Sequence, residues 1–182
     1  MPSAIAWIIT LPGDVRVAVG AVELVHVLPD TPGRIRLSEA PACFKEAISW
    51  GHGEVAIFDA GKFSEGIEKI ADTIYFGIVR YRSNASTPQR FGALKMSDMP
   101  KRVPVDDEMA CDLPDSLQHW RPLIVSCFEL EGRPVPVLDL AKLFSRAPSE
   151  SEIRAASGAS DGDADAPNGA DTSGYTDSLA TT

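Results

Sequence analysis

The chain has 182 residues, of which 44% are hydrophobic and 24% charged, with a net charge of −9 and three cysteines. That length suits one domain, or two small lobes sharing a core, and the composition supports a packed interior. It argues against a membrane span, which needs ~20 consecutive apolar residues, against nucleic acid, which needs clustered Lys and Arg, and against a disulfide framework, since the cysteines form no CxxC pair and are odd in number.

From the start, Met1 to Leu11 is apolar but lacks a basic lead and a small-residue cleavage site, so it reads as a strand over 4–11 and not a signal peptide. The expected location is therefore the cytoplasm. Leu11-Pro12-Gly13-Asp14 is a turn, followed by strands over 15–19 and 22–28. Pro41 to Lys45 forms one helical turn, and strands over 47–50 and 54–58 come next. In the second half, strands over 73–81 and 90–96 flank the hairpin loop Ser83 to Pro88, and another covers 102–105. A short helical turn over 114–119 leads to strands over 123–130 and 134–138, joined through Glu131-Gly132-Arg133. Many short strands at this spacing favour barrels or sandwiches over a parallel α/β sheet. The final segment, 147–182, carries seven acidic groups and one basic, against 19 acidic and 16 basic in 1–146. Proline aside, its only apolar residues larger than alanine are Ile153, Tyr175 and Leu179, whose burial gains at most ~10 kcal/mol. Ordering each backbone unit costs roughly 1–2 kcal/mol, so the expectation is a folded body over 1–146 and a disordered acidic tail over 147–182.

Two stretches repeat. Gly53 to Phe63 reads GEVAIFDAGKF and Gly132 to Phe144 reads GRPVPVLDLAKLF. In each, an apolar strand ends in Asp, and Lys follows three residues later. An Asp there accepts hydrogen bonds from the unpaired N–H groups of a helical first turn and suits the positive end of its dipole. Asp59 and Asp139 are thus expected as structural caps. The duplication implies an all-β protein of two related lobes, since one such unit cannot bury both faces of its strand alone.

A search for chemistry returns little. His26, His52 and His119 have no metal-ligand spacing. Cys43, Cys111 and Cys127 lack an adjacent base, and Cys127 in IVSCFEL reads as core. No P-loop, dinucleotide fingerprint or nucleophile elbow is present. The five carboxylates over 106–115 lack the alternation of a calcium loop and read as a solvated connector. Arg80-Tyr81-Arg82 with Arg90 and Phe91 could line an OB-like nucleic-acid groove, though hairpin-tip residues explain them as well. No catalytic residue, metal or cofactor is expected.

The V-P-V-L-D-L-x-x-L-F run at 135–144 resembles the end of the CheW-like domain, found in the coupling proteins that join bacterial chemoreceptors to the histidine kinase CheA. Pro41, 18 residues before Asp59, matches the first-lobe register, and Val25-His26-Val27-Leu28 stands where the family has V-x-E-I. The family's Glu falls on Val27, its Arg on Gly51 or His52, and its first-lobe Pro on Ala56. These departures resemble the divergent members that accompany type IV pilus systems (PilI- or ChpC-like proteins). The resemblance implies two five-stranded barrel-like lobes, formed by the first and second halves of the chain and related by a pseudo-twofold, with possible strand exchange and a few short helices. It implies a non-catalytic adaptor whose partners are the regulatory domain of a CheA-type kinase, itself CheW-like, and the cytoplasmic tip of a receptor. By register, its contact residues are Val25, Val27, Leu28, Trp50, Gly51 and His52. An OB-like nucleic-acid binder and a small hydrolase are the alternatives from other classes.

Overall fold

The computed structural model describes residues 3–29, 33–63 and 75–158. The described strands are β1 (Ala4–Leu11), β2 (Val15–Gly20), β3 (Leu24–Pro29), β4 (Arg34–Arg36), β5 (Glu46–Trp50), β6 (Gly53–Phe58), β7 (Tyr75–Tyr81), β8 (Arg90–Met96), β9 (Lys101–Val105), β10 (Ile124–Leu130) and β11 (Arg133–Leu138). The helices are α1 (Ala60–Phe63), α2 (Leu140–Leu143) and α3 (Glu150–Gly158). The strand expected over 73–81 is seen from Tyr75, its first two residues lying outside the described ones.

Two sheets result, ordered β10-β11-β2-β1-β9 and β3-β7-β8-β6-β5-β4. Without β4 the orders are the same, with β5, β6, β8, β7 and β3 standing for β10, β11, β2, β1 and β9. Directions agree too: β6 runs parallel to β8, and β11 to β2, while the other pairings are antiparallel. Placing Asp59 on Asp139 puts Ile57 on Val137, and their partners across the parallel pairs are Ala93 and Ala18. The all-β, two-lobed architecture is therefore present, with a topological twofold and one extra strand.

The lobes are not the two halves of the chain. The hairpin β1–β2 joins β9, β10 and β11, whereas β7–β8 joins β3 to β6. Each half lends its first hairpin to the other's sheet.

Packing repeats with the topology. One lobe is filled by Ala6, Ile8, Ala18, Phe128 and Val135. The other is filled by Phe76, Ile78, Ala93, Ile48 and Val55, the same five places in register, together with Ile57. Alternate residues point the other way, as strand geometry requires. Ile9, Val17, Val19, Val79, Leu94, Phe58 and Leu138 thus join a larger core between the sheets. Burial on both faces explains the nearly unbroken apolar runs of β1, β7 and β8. Trp120 closes this core fully buried, its ring 5.0 Å from Phe63 and 6.0 Å from Phe58. It sits on a run of 3₁₀ turns over Asp115–Leu123, longer than the helical turn expected.

The tail boundary needs correction. Residues 150–158 form α3, which packs on β6 and β4. Its start is a capping box: the Ser149 N–H donates to Glu152 Oε2 at 2.7 Å, and the Glu152 N–H donates to Ser149 Oγ at 3.4 Å. Ile153, 1% exposed, plugs into the central core, and Ala156 packs beside it. The folded body therefore runs to Gly158, because local capping and one deeply buried side chain suffice for a helix this short. The rest of the expected tail, 159–182, lies outside the described residues.

Candidate partner-binding surfaces

The two repeated Asp residues each donate one backbone hydrogen bond to a carbonyl of a 3₁₀ segment. Asp59 donates its N–H to the Cys43 carbonyl at 2.9 Å, and Asp139 donates to that of Leu123 at 2.8 Å. Each then turns its side chain toward the helix that follows. Asp139 Oδ1 accepts the Lys142 N–H at 3.1 Å while Oδ2 lies 3.1 Å from the Lys142 ammonium. Asp59 Oδ1 accepts the Gly61 N–H at 3.0 Å, but Oδ2 reaches 2.8 Å to Lys95 on β8.

Lys95 is the group that separates the two sites. It is 9% exposed, and its ammonium also lies 2.5 Å from Glu46, which Arg34 meets from its other side at 3.2 Å. Burial pulls the Lys95 pKa down, yet the hydrogen bonds to Asp59 and Glu46 outweigh it and hold the pKa above its ordinary value. For Glu46, burial pushes up, but Lys95 and then Arg34 bring its carboxyl below the usual range. In the other lobe the register position of Lys95 is Gly20, whose N–H donates to Glu23 at 2.6 Å.

Beside each Asp lies an open hollow, and the two differ in chemistry. The one at Asp59 has a volume of ≈ 550 Å³ and is lined by Arg36, Leu37, Ser38, Ala42, Lys45, Glu46, Lys62 and Lys95. The one at Asp139, of ≈ 450 Å³, is lined by Gly20, Val22, Glu23, Tyr81, Arg82, Val125, Val137, Leu138, Leu140 and Ala141. Among the described residues, Val22 (65% exposed) and Val125 (62%) are large apolar side chains left in solvent, and both flank this second hollow.

The residues expected to contact partners are spread over three settings. Leu28 and Trp50 are half-buried on the core of one lobe, with Trp50 4.8 Å from the Phe91 ring. Gly51, at φ +62, and His52 are exposed in the β5–β6 turn. A positive φ there suits glycine, which carries no Cβ. Val25 is exposed where the β3–β7 register slips between Leu24 and His26, a bulge that blunts an edge strand. Val27 faces the other way, packed on the central core. The sequence did not single out α3 as a neighbour of this region: Glu150 lies over Gly53, where an added Cβ would be 2.8 Å from its Oε1.

The remaining candidates find ordinary surroundings. His26 is exposed on β3, and His119 stacks on Phe63 at 6.2 Å. Arg80 is engaged by the Val22 carbonyl through its Nε. In the acidic connector, Asp106 Oδ1 accepts the Glu108 N–H at 3.1 Å and starts a 3₁₀ turn. No group of three His, Cys, Asp or Glu placed to hold a metal ion occurs among the described residues, and no described helix is long and apolar enough to cross a membrane. Cys127 is not core as expected: it is half-buried and faces Cys111.

Two pseudo-symmetric sheets with exchanged hairpins make a fold that also occurs among solved structures. Among solved structures, the chain is similar to the scaffolding protein TtCheW from Thermoanaerobacter tengcongensis, with a TM-score of 0.65 and 14% identity, over 82% of this chain and 93% of that one. No family model matches the chain, and no curated protein matches it.

Proposed function

We propose that this chain is a non-catalytic adaptor of bacterial chemosensory signalling, which brings a chemoreceptor and a CheA-type histidine kinase together. The observation that carries the reading is the fold, shared along most of its length with a protein described as a scaffold. Its hollows are open at the surface, and exposed valines rim one of them, as suits association more than turnover. The partners are the kinase's regulatory domain and the receptor's cytoplasmic tip, which places the protein in the cytoplasm. The output fits a pilus-based system, since the family's Glu and Arg positions hold Val27 and Gly51 or His52 here. Receptor conformation would bias the kinase through differential contacts with the complex.

The proposed contacts are Val25 and Leu28 on β3 and Trp50, Gly51 and His52 at the β5–β6 turn, with Val27 supporting β3 from the core side. Titration of the full chain with a purified receptor cytoplasmic fragment and with the kinase regulatory domain tests this. Val25→Asp and His52→Asp should each weaken at least one partner by about tenfold or more, the scale of a lost interface contact, with unchanged melting temperature. Val27→Asp should instead lower the melting temperature. If neither partner binds the unaltered chain at micromolar concentration, the adaptor reading fails.

A further inference from the structure

Cys111 and Cys127 are brought together by a contact between the acidic connector and the outer edge of β10. Ala110 bridges Phe128 in antiparallel register, so Cys111 and Cys127 are the next facing pair. The Cys111 N–H donates to the Cys127 carbonyl at 3.1 Å, and the two sulfurs lie 3.5 Å apart. Residues that face each other in this way have Cα atoms about 5.5 Å apart, inside the ~4.4–6.8 Å range that a disulfide accepts. Small side-chain rotations therefore close the gap with the backbone in place. Both thiols are free and half-buried, and they border an open hollow of ≈ 280 Å³ that Asp112 and Arg121 also line. Cys43, by contrast, packs against the central core.

We propose that Cys111 and Cys127 form a reversible dithiol–disulfide site, oxidised by a small-molecule disulfide of the glutathione class. The Cys111 thiolate attacks one donor sulfur; the donor S–S bond breaks, and its other half leaves with the electron pair and takes a proton from water. Cys127 then gives up its proton and attacks Cys111 Sγ in the mixed disulfide, releasing the second donor half as a thiol. The protein loses two electrons and two protons, and the donor gains them as two thiols. Burial first, then the neighbouring Cys111, push the Cys127 thiol up to about 12, and the first attack is therefore assigned to Cys111. The bond makes covalent the contact by which the connector already covers part of β10, an edge strand of its sheet, and so keeps that edge from strand addition. This proposal is independent of the adaptor reading.

The test is oxidation of the purified full chain in an excess of oxidised glutathione, read by thiol titration, intact mass and peptide mapping. Accessible thiols under denaturant should fall from three to one, with a mass loss of about 2 Da and a single crosslinked peptide pair, reversed by a dithiol reductant. Cys43→Ser should still lose two thiols. Cys111→Ser and Cys127→Ser should each give no internal crosslink while keeping the unaltered chain's circular dichroism. Three thiols remaining, a persistent glutathione adduct, a disulfide-linked dimer or a crosslink that includes Cys43 would each overturn the assignment.

Discussion

Replacing Lys95 by Met tests the charged cluster that distinguishes one lobe from the other. The substitution keeps the length of the side chain and its apolar stem, so packing on β8 is largely conserved. It removes the cation that Glu46 and Asp59 share at 2.5 and 2.8 Å. Taking one partner from a buried ion pair costs ~3–5 kcal/mol. Here the residue left behind is partly relieved: Glu46 retains Arg34 at 3.2 Å, Asp59 retains the Gly61 N–H, and both carboxylates reach solvent. A loss of ~2–3 kcal/mol is the reasonable scale, about 5–10 °C in melting temperature for a chain of this size. Adding Glu46→Gln should restore part of it, because one of the two stranded charges disappears. The pH dependence is specific. A carboxyl with lowered pKa contributes stability above its unfolded pKa and loses it as pH falls through the folded value. A lysine with raised pKa contributes below its unfolded pKa and loses it as pH rises through the folded value. The unaltered chain should thus hold a stability plateau between about pH 5 and pH 10, set by the reference values. The deficit of Lys95→Met should be full on that plateau and shrink on acidification, as the stranded carboxylates protonate. Urea unfolding followed by circular dichroism measures both. A variant as stable as the parent at pH 7, or a deficit that grows below pH 4, refutes the argument.

The two Asp residues should respond unequally to alanine. Asp139→Ala loses a cap and an exposed ion pair, about 1 kcal/mol, whereas Asp59→Ala also strips Lys95 of a partner and should cost about twice that in the same urea assay. Ile153→Ala should destabilise by ~2–4 kcal/mol, and Ser149→Ala by ~1, both read as earlier urea midpoints; a surface helix would show neither.

Most strands were legible because they are short, largely apolar runs bounded by turn or polar residues, and the repeat was legible because its Asp ends both copies. The exchange of hairpins was expected only as a possibility, through the resemblance, and was not legible in the residues themselves. Which hairpin joins which sheet depends on contacts between distant residues, such as Val137 with Ala18, that leave no local period. β4 escaped because Arg34-Ile35-Arg36 is short and charged, and forms by pairing with β5. α3 was written in Ser149 and Glu152, but an energy balance averaged over the whole tail concealed a local capping box and one buried isoleucine. Lys95, between Leu94 and Met96, gave no signal of its own, since its partners lie 49 and 36 residues earlier in the chain. The expected contact residues were assigned by register alone, which cannot tell that Val25 faces solvent and Val27 the core.

The way the duplicated units have diverged bears on the proposed role. The lobe interiors keep the same five places, Ala6 with Phe76, Ile8 with Ile78, Ala18 with Ala93, Phe128 with Ile48 and Val135 with Val55. Close packing makes such positions costly to change except in concert. One change with a consequence at the surface lies beside the caps, where Lys95 stands in one lobe and Gly20 in the other. One hollow thereby gathers Arg36, Lys45, Lys62 and Lys95, and the other exposes Val22 and Val125. A faithful twofold would present the same surface twice and select the same partner twice. An adaptor for two unlike partners needs unlike outer faces, and the two hollows differ in that way.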